Sequence, residues 1–372
     1  MSLAIAGMGW VTPLGSDVST VWTQLLGGEE ATPGTISSSL NSRSYPAFQV
    51  PESAIVGMPK HPRLRRASKI SKFAVVAGQA ALQDAGIEIN MERVALIFAI
   101  SNGGVIYTKR FFHDIVETGA QSASPLLFPE TVFNAPASHL AAILGITGAS
   151  YTLVGDGAVG ILALKMAEDL MQCDMLDCCL VVGAEEVDWL LCDAYNKWRL
   201  LRSHPPIEPF SRPPKGMILS EGAGAVLLGR KGQVVIDRIC AGGDYPRQRD
   251  ASTLLEKIFR ELEPKKPALL VASANGTFVD LAEFQAASAE LPDAPIYALK
   301  GALGESVGAS ALWQTIVGVQ ALRTGRVPPT LHAATDRRLR VNRDEIGEIR
   351  DAIVSACGSS QQAAGLRLRL LG

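Results

Sequence analysis

Residues 151–160, YTLVGDGAVG, form the stretch where chemistry is expected in this chain. They read as a short strand, a sharp turn at Gly155-Asp156-Gly157, and a helix of small and apolar residues from 158 to about 170. Strand–turn–helix geometry of this kind lifts a nucleophile to a helix N-terminus. A thiol placed there has a lowered pKa and is reactive. The residue at the tip, however, is Gly157. The geometry of a nucleophile elbow is expected, and the nucleophile is missing.

Other elements must hold that turn. Residues 2–11 read as a first strand, followed by a Thr12-Pro13-Leu14-Gly15 loop and a helix capped by Ser16 or Asp17. Residues 28–60 are rich in Ser, Pro and Gly and read as surface loop. The most basic stretch, KHPRLRRASKISK at 60–72, leads into a helix over 73–85. Residues 94–100 read as a buried strand that ends at Ser101-Asn102-Gly103-Gly104. Residues 134–144 are small and apolar, with His139 embedded.

The pattern then restarts. A strand is predicted over 234–240, an amphipathic helix over 254–262 and a buried strand over 268–274. ALIFAISNGG at 95 and ALLVASANGT at 268 carry apolar residues, small residues and an Asn-Gly exit at matching places. Residues 304–317 again give a Gly-rich entry into a buried helix. The chain therefore reads as two similar βα-rich halves, 1–229 and 230–372, in one compact α/β unit.

Composition narrows the function. A chain that is 47% hydrophobic and 19% charged suits an α/β protein with much sheet and helix surface buried. A net charge of -2 gives no global drive toward nucleic acid or anionic membrane. The six Cys form no CxxC pair and read as buried, reduced thiols of a cytoplasmic protein. The five His show no metal spacing, so neither metal nor cofactor is expected. The N-terminal MSLAIAGMGW lacks a basic n-region and reads as a strand rather than a signal peptide. No apolar run is long enough to span a bilayer.

Taken in order, these segments resemble a β-ketoacyl-ACP synthase of the thiolase fold over nearly the whole chain. IAGMGWVTPLGSDVSTVWTQLLGGE resembles that family's opening strand, turn and helix. PFSRPPKGMILSEGAGAVLL at 209–228 resembles its Pro-Phe-Asp-Arg and Gly-Glu-Gly-Ala-Gly segment, and GRVPPTLH at 325–332 its Pro-Pro-Thr segment. The resemblance implies a five-layered αβαβα fold. Members that elongate acyl chains use a Cys for the thioester and two His that polarise the malonyl group and stabilise the enolate. By resemblance the Cys position falls on Gly157, one His on Asn275 within Ala274-Asn275-Gly276-Thr277, and the other on Glu305. The Lys of that last segment is retained as Lys300, and the Gly-Phe-Gly-Gly gating loop becomes Ala356-Cys357-Gly358-Ser359-Ser360.

Without a nucleophile no acyl-enzyme of the usual kind forms. The altered triad resembles the chain-length factor, the inactive partner in a type II ketosynthase heterodimer of polyketide or aryl-polyene type. The implied role is to pair with an active synthase and shape the tunnel for a chain held on acyl carrier protein, which docks mainly on the partner. Chain-length factors often carry Gln at the lost Cys position; Gly157 departs from that.

Individual residues admit two readings. Asp156 and Glu305 are either an N-cap and a polar replacement, or two carboxylates facing one vestigial pocket with pKa values pushed apart for acid/base work. Lys300 would quench such a pair. Asn275 is a donor to a bound carbonyl or a turn residue beneath Gly276. Cys357 is a buried thiol or a displaced nucleophile. By resemblance Phe133, Asn134 and His139 lie at the dimer contact and reach the partner's tunnel; the alternative is ordinary helix packing. The basic stretch at 60–72 is a carrier-protein landing surface or a solvated face. Two rival functions follow: a homodimeric enzyme with altered acyl chemistry at Asp156 and Glu305, and a carrier-protein-binding module.

Overall fold

The computed structural model describes residues 3–265, 267–334, 340–341 and 349–371. Met1, Ser2 and Gly372, the outermost residues of the two expected halves, lie outside them. The chain runs β1 (Leu3–Val11), α1 (Val18–Leu26), β2 (Gly34–Ser37), β3 (Ser44–Phe48), α2 (Lys69–Asp84), β4 (Val94–Ile100), α3 (Val105–Thr118) and α4 (Ala135–Leu144). It continues β5 (Ser150–Val154), α5 (Val159–Leu170), β6 (Cys178–Glu185), α6 (Trp189–Lys197), β7 (Leu219–Ser220) and β8 (Gly222–Gly229). Then come β9 (Val234–Asp244), α7 (Ala251–Leu262), β10 (Ala268–Val271), α8 (Phe278–Glu290), β11 (Pro295–Tyr297) and α9 (Lys300–Leu303). The described chain closes with α10 (Ser310–Thr324), β12 (Arg340–Val341), β13 (Asp351–Cys357) and β14 (Gln362–Leu370).

The strands repeat one topology twice. From a central seam where β1 pairs antiparallel with β9, the order outward is β1-β8-β6-β4-β5 on one side and β9-β14-β13-β10-β11 on the other, where the short β12 is added parallel at the edge. In each half the first two pairings are antiparallel and the next two parallel. Helices α5 and α10 lie between the half-sheets and pack on strands of both. They approach closely because Gly160 meets Ala311: a Cβ on Gly160 would stand 2.9 Å from that of Ala311. Helices α2 and α4 cover the outer face of the first half-sheet, and α7 and α8 that of the second. The result is the five-layered αβαβα thiolase-type arrangement. Burial on both faces explains why β4 reads VALIFAI without alternation.

Three local expectations change. Residues 28–60 are not all loop: β2 and β3 form a hairpin and β3 also pairs with β7. Tyr45 and Ala47 are buried against Leu191 and Cys192, apolar contacts that the Ser- and Pro-rich composition hides. Helix α2 starts at Lys69 rather than 73, because the Ser68 hydroxyl caps it by accepting the Ser71 N–H at 3.2 Å. Five cysteines are buried, but Cys173 is exposed in the turn after α5. At α1 the cap is Asp17, whose carboxylate accepts the Thr20 N–H at 2.7 Å. No helix among the described residues is long and apolar enough to cross a membrane.

Candidate functional site

Strand β5 hands the chain to α5 through Gly155-Asp156-Gly157, and the Gly155 N–H anchors the turn on the Ile100 carbonyl at 3.0 Å. The elbow is therefore built as the sequence suggests. What faces Gly157 is main chain from the other half. A Cβ on Gly157 would lie 3.1 Å from Gly358 Cα and 3.4 Å from the Cys357 carbonyl oxygen, tighter than ordinary van der Waals contact. A side chain at 157 would therefore need the 357–358 backbone to give by a few tenths of an ångström.

Asp156 divides its carboxylate between the start of the helix and the facing loop. Its Oδ1 is 3.5 Å from the Ala158 N–H, whereas Oδ2 accepts the Ser360 N–H at 2.8 Å and the Ser360 hydroxyl at 2.6 Å. The carboxylate lies flat on Gly358, where any Cβ would overlap it. Gly358 is held from two further sides: its carbonyl accepts the Tyr245 hydroxyl, and its N–H donates to Gln362 O at 2.8 Å.

Behind this loop, Asn275, Glu305 and Lys300 form one buried cluster. Glu305 Oε2 accepts from Lys300 Nζ at 2.7 Å and from Asn275 Nδ2 at 2.8 Å. Asn275 Oδ1 accepts from the Thr277 hydroxyl at 2.7 Å, so its amide serves the turn and the carboxylate together. Lys300 also donates to the Ser273 carbonyl at 3.1 Å, and the Ser273 hydroxyl accepts the Cys357 N–H at 3.0 Å. Gly304, at φ +80°, sets the turn before Glu305; a side chain there would collide with Phe48. The cluster is thus internally neutralised, except that Glu305 Oε1 is buried with no protein donor among the described residues. Cys357 is buried, which pushes its thiol up to about 12 and keeps it protonated at neutral pH. Its Sγ is 3.7 Å from the Tyr245 hydroxyl.

A cleft of about 750 Å³ opens on the other side of the loop. Asp156, Asn102, Tyr195, Trp198, Gln248 and Ser360 are among its lining residues; Gly157, Asn275, Lys300, Glu305 and Cys357 are not. One wall is a face of α6 and its end, with Leu191, Ala194, Tyr195 and Trp198 at helical spacing. Those aromatics, together with Ser273 and Tyr245, escaped sequence reasoning, and Ser360 enters it only as part of the 356–360 loop. The 191/194/195/198 spacing is the one signal that could have found the wall.

Both Asn-Gly turns are fixed by buried carboxylates. Glu185 accepts the Ser101 N–H at 3.0 Å and the Asn102 N–H at 3.3 Å. In the other half Glu283 accepts the N–H groups of Ser273 and Ala274, and Asp280 those of Asn275 and Gly276. Burial raises Glu185 to about 8, Glu283 to about 7 and Asp280 to about 6, against the opposing pull of the backbone donors. Between the ordinary carboxylate range and these values the folded chain keeps protons that the unfolded chain releases. Stability is therefore expected to fall as pH rises from about 5 to 8. Thermal melts across that range should show a declining Tm, and Glu185→Gln should flatten the slope; a Tm that rises from pH 5 to 8 would contradict it.

Phe133 is 45% exposed and lays its ring over Gly103, which has φ +61°. Asn134 precedes α4, is exposed, and makes no capping bond with its side chain. His139 Nε2 lies 2.7 Å from Glu130 Oε1 within the same chain. These residues border an apolar surface. Helix α3 has no buried residue, and Phe112, Val116, Leu126, Phe128 and Val132 are exposed around it. The surface continues to β5, an edge strand paired only with β4 among the described residues, with Tyr151 and Val154 exposed.

A duplicated five-layer fold with an elbow between its halves defines a thiolase-type protein. The sequence pattern of the beta-ketoacyl synthase N-terminal domain matches residues 2–233, and that of its C-terminal domain matches 245–334. The chain belongs to the beta-ketoacyl synthase family. It is 23% identical over 367 residues to a 3-oxoacyl-[acyl-carrier-protein] synthase 2 of Staphylococcus aureus, covering 90% of this chain and 88% of that one. Among solved structures it superposes with TM-score 0.87 on a beta-ketoacyl synthase from Burkholderia phymatum, at 18% identity and 100% of both chains. It also superposes with TM-score 0.87 on the ishigamide ketosynthase/chain length factor, at 20% identity, covering 100% of this chain and 99% of that one.

Proposed function

We propose that this chain is a non-catalytic ketosynthase-fold subunit of the chain-length-factor kind. It pairs with an active β-ketoacyl synthase and shapes the tunnel in which a carrier-bound polyketide or polyene chain grows. The observation that carries this is the elbow: Gly157 offers no nucleophile, and the Gly358 main chain packs closely against it. The two remaining reactive positions bond each other, Asn275 to Glu305, rather than face a cleft. A rival enzyme using Asp156 and Glu305 is disfavoured because each carboxylate is engaged separately, on Ser360 and on Lys300.

The partner surface is the exposed apolar ground from α3 to β5, an area of the kind that obligate subunits cover. Phe133 and Asn134 project from it and are the side chains offered to the partner's tunnel, with His139 held at its border by Glu130. Lys60, Arg63, Arg65 and Arg66 are exposed and make no ion pair among the described residues, which suits transient steering of an acidic carrier protein.

The test is co-expression with an intact Cys-His-His synthase, followed by size-exclusion chromatography with mass detection and elongation on carrier-bound substrate. A one-to-one complex that elongates while this chain alone does not is the expected result. A stable self-dimer that ignores the synthase would overturn the reading, and carrier binding with no synthase present would favour a carrier-binding module.

A further inference from the structure

We propose that Asp156 fixes the depth of the cleft, acting with Ser360 as a bolt that closes the 357–360 loop across the elbow. Three observations meet here. The cleft and the Lys300–Glu305–Asn275 cluster share no lining residue, yet both adjoin this loop: Ser359 and Ser360 line the cleft, while Cys357 is tied to Ser273 and through it to Lys300. The 357–358 backbone is thus a partition one chain thick. It fits against the elbow because Gly358 lacks a side chain, whose Cβ would overlap the Asp156 carboxylate, and because Gly157 keeps the facing contact close. Asp156 is 8% exposed and gives one carboxylate oxygen two short bonds, to the N–H and the hydroxyl of Ser360. Hydrogen bonds to an ionised group are the stronger kind.

The buried cluster behind the partition has an acceptor to offer. Glu305 Oε1 has no donor among the described residues, so a hydrogen-bond donor that passed the opened loop would find a carboxylate oxygen and, beside it, the Lys300 ammonium. With the bolt in place the cleft is blind and ends at Asp156, and a chain entering it stops there. The inference concerns this chain alone and stands whether or not it pairs with a synthase.

Cys357 reports on the partition, because its thiol lies directly behind it and is 2% exposed. The full-length chain and its Asp156→Ala and Ser360→Ala variants would be treated with iodoacetamide under native conditions. Labelling of the Cys357 peptide would be timed by mass spectrometry against that of Cys179, which is fully buried in β6. Loss of the charged pair of bonds should raise Cys357 labelling by about ten- to a hundredfold in Asp156→Ala, with Cys179 unchanged. Ser360→Ala, which keeps the backbone bond, should give a smaller rise. Cys357 labelling that stays at the wild-type rate in Asp156→Ala would overturn the bolt. Equal acceleration of Cys357 and Cys179 would also overturn it, since Asp156 would then support the whole fold rather than the loop.

Discussion

The double variant Tyr151→Asp, Val154→Asp is expected to weaken assembly with an active synthase by at least about a hundredfold, which is about 2.7 kcal/mol. Both side chains stand on the edge strand β5, 42% and 54% exposed in the single chain. An edge strand with exposed apolar residues is a template for another chain, and carboxylates are the usual means of blunting one. Once the surface is covered, each new carboxylate would be buried without a counter-charge, which costs several kcal/mol. The free chain should tolerate the change because both positions face solvent there. The measurement is titration calorimetry of the two purified subunits, with a thermal melt of the variant alone. Unchanged affinity would remove β5 from the interface; a collapsed melt would show that the strand edge is structural.

The second large effect is expected inside the chain. Lys300→Met should destabilise the protein by about 3–5 kcal/mol, because it strands a carboxylate that was paired in the interior. Lys300 and Glu305 are 3% and 5% exposed at their side chains and 2.7 Å apart, so water cannot replace the lost partner. Asn275 alone would remain as donor to Oε2. The double variant Lys300→Met, Glu305→Gln should recover most of the loss, since a neutral amide keeps the bond to Asn275 without a charge. Urea unfolding of the four proteins of this cycle measures the coupling. A single variant within about 1 kcal/mol of the parent would mean that the pair is not a structural ion pair.

Much of the fold was legible because duplication leaves a periodic trace. ALIFAISNGG and ALLVASANGT fall on β4 and β10 and the turns that follow them, in equivalent places of the two half-sheets. The elbow was legible for the same local reason: a strand, two glycines around an aspartate and a small-residue helix specify it in ten positions. Its vacancy was readable directly from Gly157.

What packs against Gly157 was not, because it depends on contacts between residues 27 to 204 positions apart. Nothing near Asp156 announces Ser360, and nothing near Lys300 announces that Ser273 links it to Cys357. The hairpin of β2 and β3 was hidden by a composition typical of loops, since only Tyr45, Ala47 and Phe48 carry its burial. Single residues inside a periodic element are visible along the chain; bonds that close across the two halves become visible only in the folded chain.

The contact between Gly157 and Gly358 bears on the history open to this protein. Had the nucleophile been lost with its space left empty, one substitution would bring it back. Here the backbone of the other half stands against Gly157, Asp156 bonds the loop that carries it, and Asn275 and Glu305 bond each other behind it. A cysteine at 157 would put its Cβ 3.1 Å from Gly358 Cα, so the main chain would have to give way, and no imidazole stands at 275 or 305. Recovering synthase chemistry would need several changes at once, each without benefit alone. On the reading proposed above, the loss is hard to reverse for reasons of packing, and later change falls on the surfaces and the cleft rather than on the chemistry.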